Sequence, residues 1–273
     1  MEVSRKNEVV WLDKSHPNYE RWKRARELSV ERGLFVKKLI SEIIKPENLI
    51  VLDFGSGEGG TSSVFAKENK VISFDVNLLR LIRQGSNGSF KINGSAGFLP
   101  FRSEAFELVI LQDVIEHLPD PDTAIYGIYN LLKPGGILYL STPNRFSLIN
   151  LFADPHWGLP LLALFKRNIV KNFFLKYFRN SEYQRDDIAE LLSLNQLKDI
   201  TEKYFRIKLM TKFAVSELLE GNKGLVWSDF HLTLLKTIHK LRLGKLIQRI
   251  ANNKPGFINR FLTPAFYCVM IKI

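Results

Sequence analysis

Residues 51–60 read VLDFGSGEGG, an apolar run that tips into a turn rich in glycine. A short apolar run bounded by glycine reads as a buried strand. Glycines directly after it let the chain turn sharply and let a ligand approach bare backbone at the next helix N-terminus. Two spacings overlap in these ten residues. Gly55, Gly57 and Gly60 satisfy G-x-G-x-x-G, while Asp53, Gly55, Gly57 and Gly59 satisfy D-x-G-x-G-x-G. Both suit a nucleotide-bearing cofactor, and this stretch alone does not choose between cofactors.

Working outward, residues 15–44 read as one or two helices, with Leu34, Val36, Leu39, Ile40, Ile43 and Ile44 in an approximate apolar stripe. Pro46 stops them, and LIVLDF is the first strand. A helix over 61–68, the strand VISFD, a helix ending at Gly85 and the strand FKING follow. FELVILQD is a fourth strand, apolar enough to be covered on both faces. A helix over 121–132 ends at Lys133-Pro134-Gly135-Gly136, and GILYLSTP is the fifth strand. Strands alternating with helices predict an α/β fold with a doubly wound, mostly parallel sheet. Beyond Pro143 the rhythm breaks: 144–180 holds no clear strand and many aromatics. RDDIAELLSLN is expected to be a helix, ITEKYFRIKLM a sixth strand, 213–262 largely helical and TPAFYCVMIKI the seventh strand. The expected segments are thus 1–48, helical and covering the site; 49–145, the cofactor-binding core; 146–180, a substrate-side insertion; and 181–273, the rest of the sheet with a basic helical insertion.

With 273 residues, 45% hydrophobic and 25% charged, the chain suits one large globular domain carrying insertions. Its single cysteine, Cys268, excludes a disulfide framework, fits a reducing cytoplasm, and lies in an apolar run where a core thiol is expected. The densely charged first thirty residues do not read as a secretory signal. The apolar run WGLPLLALF has nine residues, against about 20 for a spanning helix. The net charge of +11 is unevenly placed. Residues 1–144 hold 18 Lys+Arg and 18 Asp+Glu, whereas 145–273 hold 21 and 10. In LFKRNIVKNFFLKYFR (164–179) and LLKTIHKLRLGKLIQRI (234–250) the basic residues alternate with apolar ones. Such segments are amphipathic helices with solvated basic faces, or they meet an anionic membrane surface or an anionic acceptor.

Five motifs in order — VLDFGSGEGG, VISFDVN, GSAGFLPF, FELVILQDVIEHLPDP and LLKPGGILYLSTPN — resemble the Class I S-adenosylmethionine-dependent methyltransferases. Within that class the chain is similar to the small-molecule group, including the quinone-biosynthesis O-methyltransferases, with Glu-His after strand four. The resemblance covers 49–145, with a weaker echo at 181–210, and it implies a seven-stranded Rossmann-like sheet and S-adenosyl-L-methionine as cofactor. It further implies that Asp53 faces the ammonium of the methionine part. Gly55, Ser56, Gly57 and Gly59 would form the turn along its carboxylate and ribose. Asp75 would accept both ribose hydroxyls, Val76 would pack on adenine, and Gln112 would lie near the methionine end. Ser95 and Ala96 stand where many relatives place an acidic residue for the adenine amino group, and a serine oxygen accepts that bond more weakly. His117 is the candidate general base. Asp113, Glu116 and His117 are candidate ligands for a divalent metal in the group's acidic-x-x-Glu-His pattern.

The competing reading is an NAD(P)-dependent oxidoreductase, with Asp75 twenty residues beyond Gly55 and Tyr129-x-x-x-Lys133 as catalytic pair. Lys133, directly before Pro134-Gly135-Gly136, is better read as a charge capping the helix C-terminus. A third reading is a non-catalytic protein that binds the cofactor. Nucleic acid as acceptor is disfavoured, because the fourth strand ends in LQDVIEH rather than Asn/Asp-Pro-Pro-aromatic and no cysteine lies near the site. Methyl transfer from a sulfonium needs in-line positioning and water exclusion, with a base only where the acceptor must lose a proton. The apolar, aromatic 144–165 segment, with the basic helices downstream, points to a hydrophobic or lipid-linked acceptor, methylated at oxygen; the alternatives are a soluble aromatic or glycosidic metabolite, or a lid or dimer interface around a degenerate site. The enzyme is then expected in the cytoplasm, peripheral on the inner face of the membrane.

Overall fold

A computed structural model describes residues 12–16, 18–180, 183, 188–225 and 229–273. Two N-terminal helices, α1 (Tyr19–Glu27) and α2 (Ser29–Ser41), precede strand β1 (Ile50–Phe54). Then come α3 (Gly60–Phe65), β2 (Lys70–Asp75), α4 (Leu78–Arg83), β3 (Phe90–Asn93), β4 (Phe106–Gln112), α5 (Pro121–Leu131) and β5 (Leu132–Pro143). The insertion holds α6 (Leu148–Phe152) and a helical rod, α7 (167–178), whose middle widens into a π-helical stretch at Val170–Leu175. The chain continues through α8 (Leu194–Thr201), β6 (Phe205–Leu209), α9 (Thr211–Leu219), α10 (Asp229–Lys240), α11 (Gly244–Ile250) and β7 (Ala265–Lys272).

The seven strands lie in the order β3-β2-β1-β4-β5-β7-β6. The first five are parallel, and β7 runs antiparallel between β5 and β6. This is the doubly wound, mostly parallel sheet expected. Strand side chains alternate between faces, so each central strand feeds two cores. Leu52, Val109, Leu111, Leu138 and Leu140 pack on one face with α5 and α8. Val51, Leu108, Ile110, Ile137 and Tyr139 pack on the other with α2, α3 and α9. Cys268 is fully buried on β7, and burial pushes its thiol up to about 12, so it is a core residue. Trp157, Leu162, Val170, Leu175 and Ile188 form a separate small core inside the insertion.

Several expectations change. Leu34 is exposed, and Phe35 instead joins Val36, Leu39 and Ile40 in the buried stripe of α2. The helix after β1 spans Gly60–Phe65, and β5 begins at Leu132, because Pro134-Gly135-Gly136 sits in a strand irregularity opposite Phe106/Leu108. Lys133 therefore caps no helix; it pairs with Glu107. The expected helix RDDIAELLSLN falls partly outside the described residues. Its end does not start a helix until Leu194, where Ser193 and Gln196 form a reciprocal capping box. Ser193 favours the cap over a helix interior, which breaks the run there.

Two glycines set the position of α2 over the sheet. A Cβ on Gly60 would stand 2.3 Å from the backbone carbon of Ser29, and one on Gly33 would stand 2.7 Å from Cα of Thr61. The backbones of α2 and α3 thus cross almost in contact, which carries the N-terminal helices to the strand tips.

Candidate active site

The glycine turn leaves β1 with Gly55, Gly57 and Gly59 all at positive φ (74°, 52° and 75°), a region costly for side-chain-bearing residues. The amide of Gly57 donates to Asp75 Oδ2 at 2.8 Å, and that of Asn77 donates to Oδ1 at 2.8 Å. Asp75 at the tip of β2 therefore fixes the turn beside it. Gln84 Nε2 donates to Ser56 Oγ at 3.0 Å and to Gly57 O at 2.8 Å, closing the turn from α4.

Asp53, one residue before the end of β1, is almost fully buried and accepts from Ser62 Oγ at 2.6 Å. The N-cap position of α3 itself is Gly59, which has no side chain to cap with. Burial raises its carboxyl to about 6, and the nearby Asp75 charge adds to the rise, while the Ser62 hydrogen bond opposes it. Two carboxylates thus meet at the tips of adjacent strands β1 and β2.

Val76 is 73% exposed beside them, an open apolar surface for a ring. Ser95 is exposed in the loop after β3, where its carbonyl accepts from Phe98, and Ala96 is half-buried against the core. Gln112, ending β4, accepts from Thr61 Oγ1 at 2.8 Å, so its carbonyl points to the start of α3.

Beyond Gln112 the chain bends through Asp113, whose φ of 56° puts a non-glycine residue in the left-handed region. Its amide donates to Ser141 O at 2.9 Å, Ser141 Oγ donates to Oδ1 at 2.8 Å, and Arg32 of α2 pairs with Oδ2. Glu116 is 1% exposed. Thr142 Oγ1 donates to its Oε2 at 2.9 Å, whereas Oε1 accepts no hydrogen bond among the described residues. Burial, with the Asp113 charge second, raises the Glu116 carboxyl to about 8. His117 lies edge-on to His156 of the insertion, ring centroids 5.1 Å apart, and His156 Nε2 is 4.0 Å from Glu116 Oε1.

The structure therefore gathers Asp53, the glycine turn, Asp75, Val76 and Gln112 along the strand tips, with Asp113, Glu116 and His117 on the neighbouring loop. This is the carboxyl end of the parallel strands, where open α/β sheets bind ligands. Arg32, Ser62, Gln84 and His156 were not singled out from sequence. Only their fold-dependent neighbours mark them, because no motif spacing does. The pair expected of an oxidoreductase is not assembled: Tyr129 packs on Tyr204 beneath Lys272 Nζ, and Lys133 pairs with Glu107.

A family profile described as a methyltransferase domain matches residues 24–202. The chain belongs to the methyltransferase family. Among curated proteins this methyltransferase is 28% identical over 166 residues to a ubiquinone biosynthesis O-methyltransferase of Azoarcus sp. (strain BH72), covering 56% of this chain and 70% of that one. It is 31% identical over 139 residues to a demethylmenaquinone methyltransferase of Lactiplantibacillus plantarum, covering 46% and 58%. Against several other such relatives it spans about half of their length. A solved SAM-dependent methyltransferase of Thermotoga maritima, described as a possible histamine N-methyltransferase, superposes with a TM-score of 0.53 at 18% identity over 94% of this chain and 95% of that one. Phosphoethanolamine N-methyltransferase 2 of Haemonchus contortus, solved with S-adenosyl-L-methionine, superposes with a TM-score of 0.52 at 15% identity, over 96% and 59%. The methyltransferase's fold is shared with these structures, and S-adenosyl-L-methionine is its cofactor.

Proposed function

We propose that this methyltransferase moves the methyl group of S-adenosyl-L-methionine to an oxygen of a small apolar, lipid-linked acceptor at an anionic membrane surface. The cofactor lies along the strand tips, with Asp53 toward its ammonium, Asp75 toward the ribose hydroxyls and Val76 under adenine. The acceptor enters between the Glu116–His117 loop and the insertion, with His117 placed to take the acceptor's proton. The similarity to ubiquinone biosynthesis O-methyltransferases and to a demethylmenaquinone methyltransferase supports an acceptor of this class.

The observation that carries the membrane reading is a stripe on the insertion. Ile169, Phe173 and Tyr177 recur every four residues along α7 and are all exposed, Phe173 at 61% and Tyr177 at 66%, and Leu161 and Phe165 are exposed on the irregular chain just before the rod. The π-helical widening at Val170–Leu175 helps a four-residue spacing stay on one side of the rod. Lys166, Lys171 and Lys176 accompany the stripe, and no acidic residue occurs from 155 to 181. A large aromatic stripe with cations alongside and no anion suits the headgroup layer of an anionic bilayer. The same rod touches the site: Arg167 Nη2 donates to the carbonyls of Glu116 and Leu118 at 3.0 and 2.8 Å. Among the described residues no helix is long and apolar enough to cross a membrane, so the contact is a surface one.

The test is co-sedimentation with neutral and anionic vesicles, alongside methyl transfer from labelled cofactor to phenols that differ only in alkyl chain length. Salt-sensitive binding to anionic vesicles and a preference for long-chain phenols are expected. Binding that ignores lipid charge, or activity indifferent to chain length, would refute the reading.

A further inference from the structure

The acceptor side of the cleft contains a cluster that the strand-four motif does not foresee. One ligand atom each from Glu116, His117 and His156 lies within 4.8 Å of the other two. Glu116 and His117 share a turn at the end of β4, but His156 arrives from the insertion, thirty-nine positions beyond His117. Its backbone is pinned there, because the buried Asp154 accepts from the amides of His156 and Trp157 at 2.9 and 2.7 Å. Asp113, the expected third ligand, faces elsewhere, toward Arg32 and Ser141.

A second observation points to a cation. Glu116 is 1% exposed and its Oε1, the oxygen nearer His156, accepts no hydrogen bond among the described residues. Buried polar atoms are almost always partnered, and an orphaned carboxylate oxygen costs free energy unless a donor or metal takes it. The imidazole of His156, at 4.0 Å, is too far to be that donor.

We propose that Glu116, His117 and His156 form a site for a borderline divalent cation of the zinc class, with His156 replacing Asp113 in the ligand set. Two imidazole nitrogens and one carboxylate oxygen favour zinc-class ions, whereas magnesium and calcium prefer oxygen throughout. Three protein ligands also leave a position open, as in catalytic rather than structural zinc sites. When bound, such an ion supplies Lewis acidity toward an oxygen-bearing acceptor. It would also tie the insertion to the β4 loop, and in the loaded chain its Lewis acidity, by acidifying the acceptor hydroxyl, would replace the base role proposed for His117, which is then open only in the metal-free chain. This inference rests on the cleft being the methyl-transfer site only for that chemical consequence; the binding itself can be measured alone.

The experiment uses the full chain, freed of metal with a chelator and then titrated calorimetrically with Zn2+ and with Mg2+, with elemental analysis for stoichiometry. One Zn2+ per chain is expected, tighter than Mg2+ by at least about 100-fold. His156→Ala should weaken Zn2+ at least about tenfold, whereas Asp113→Asn should leave it unchanged. In the unaltered protein, Zn2+ should protect His117 and His156 from carbethoxylation, mapped peptide by peptide, which keeps the test open if a variant fails to fold. No zinc equivalent, equal affinity for Mg2+, loss of binding in Asp113→Asn, or protection that omits His156 would overturn the proposal. Titration of S-adenosyl-L-methionine into the metal-free chain runs in parallel. Failure there counts against the methyltransferase reading and leaves the zinc result standing.

Discussion

Arg32 and Asp113 stand 81 positions apart in the chain and meet in an ion pair at the tip of β4. The pair is largely buried, with side-chain exposures of 19% and 10%. It ties the N-terminal helix α2 to the loop that carries Glu116 and His117. The crossing of α2 over α3 through Gly33 and Gly60 makes that reach possible. Burial raises the Asp113 carboxyl, with Arg32 and Ser141 opposing the rise, so removing Arg32 leaves a desolvated carboxylate with one hydroxyl partner.

The first prediction follows from that pairing. Arg32→Ala should destabilise the protein by about 3 kcal/mol, the lower part of the range for stripping a buried charge of its partner. Asp113→Asn in the same background should recover part of the loss, because the uncompensated charge is then gone. Urea unfolding of the two single variants and the double variant checks this. Strictly additive losses would show that the two side chains do not act on each other.

Asp75 carries the second prediction. Its two oxygens accept from the amides of Gly57 and Asn77, and each oxygen keeps a further lone pair for a ribose hydroxyl. Hydrogen bonds to a charged group are worth about 1.5–3 kcal/mol each. Asp75→Ala should therefore weaken S-adenosyl-L-methionine by about 100-fold or more. Asp75→Asn should fall between the two, because an amide can accept through only one of its two atoms. Calorimetric titration with the cofactor and its demethylated product reads this directly. Equal affinities for Asp75→Ala and the unaltered chain would remove Asp75 from the ribose site.

The clustering of the strand-tip residues was legible because they sit in one local unit. Asp53, the glycine turn and Asp75 are set by strand ends and a turn, and strand ends show in apolar runs and glycine spacing. The sheet order was legible for the same reason, since alternating strands and helices leave few ways to pair. The cluster beside the insertion was not. His156 lies in an irregular stretch whose only signals are Pro155 and Pro160, and its approach to His117 depends on how the insertion folds back. Asp113 looked like a ligand by its spacing to Glu116 and His117, but its left-handed backbone and Arg32 turn the carboxylate away. The capping box at Ser193 similarly overrode a run that reads as helical.

The last prediction concerns pH and Asp53. Its native carboxyl is raised to about 6, above the ordinary carboxylate value, by burial and by Asp75. The native state thus holds this proton more tightly than the unfolded chain does. The stability it lends is complete at low pH, below the ordinary value, and is lost as pH rises through about 6. A cofactor ammonium beside Asp53 reverses the preference, because it favours the ionised form. Cofactor binding should then weaken about tenfold per pH unit below 6, and it should release close to one proton at pH 5. Calorimetry in two buffers of different ionisation enthalpy measures that proton. Asp53→Asn should bind the cofactor more weakly and without the slope. If the slope persists in that variant, another group titrates, and Asp53 does not face the ammonium.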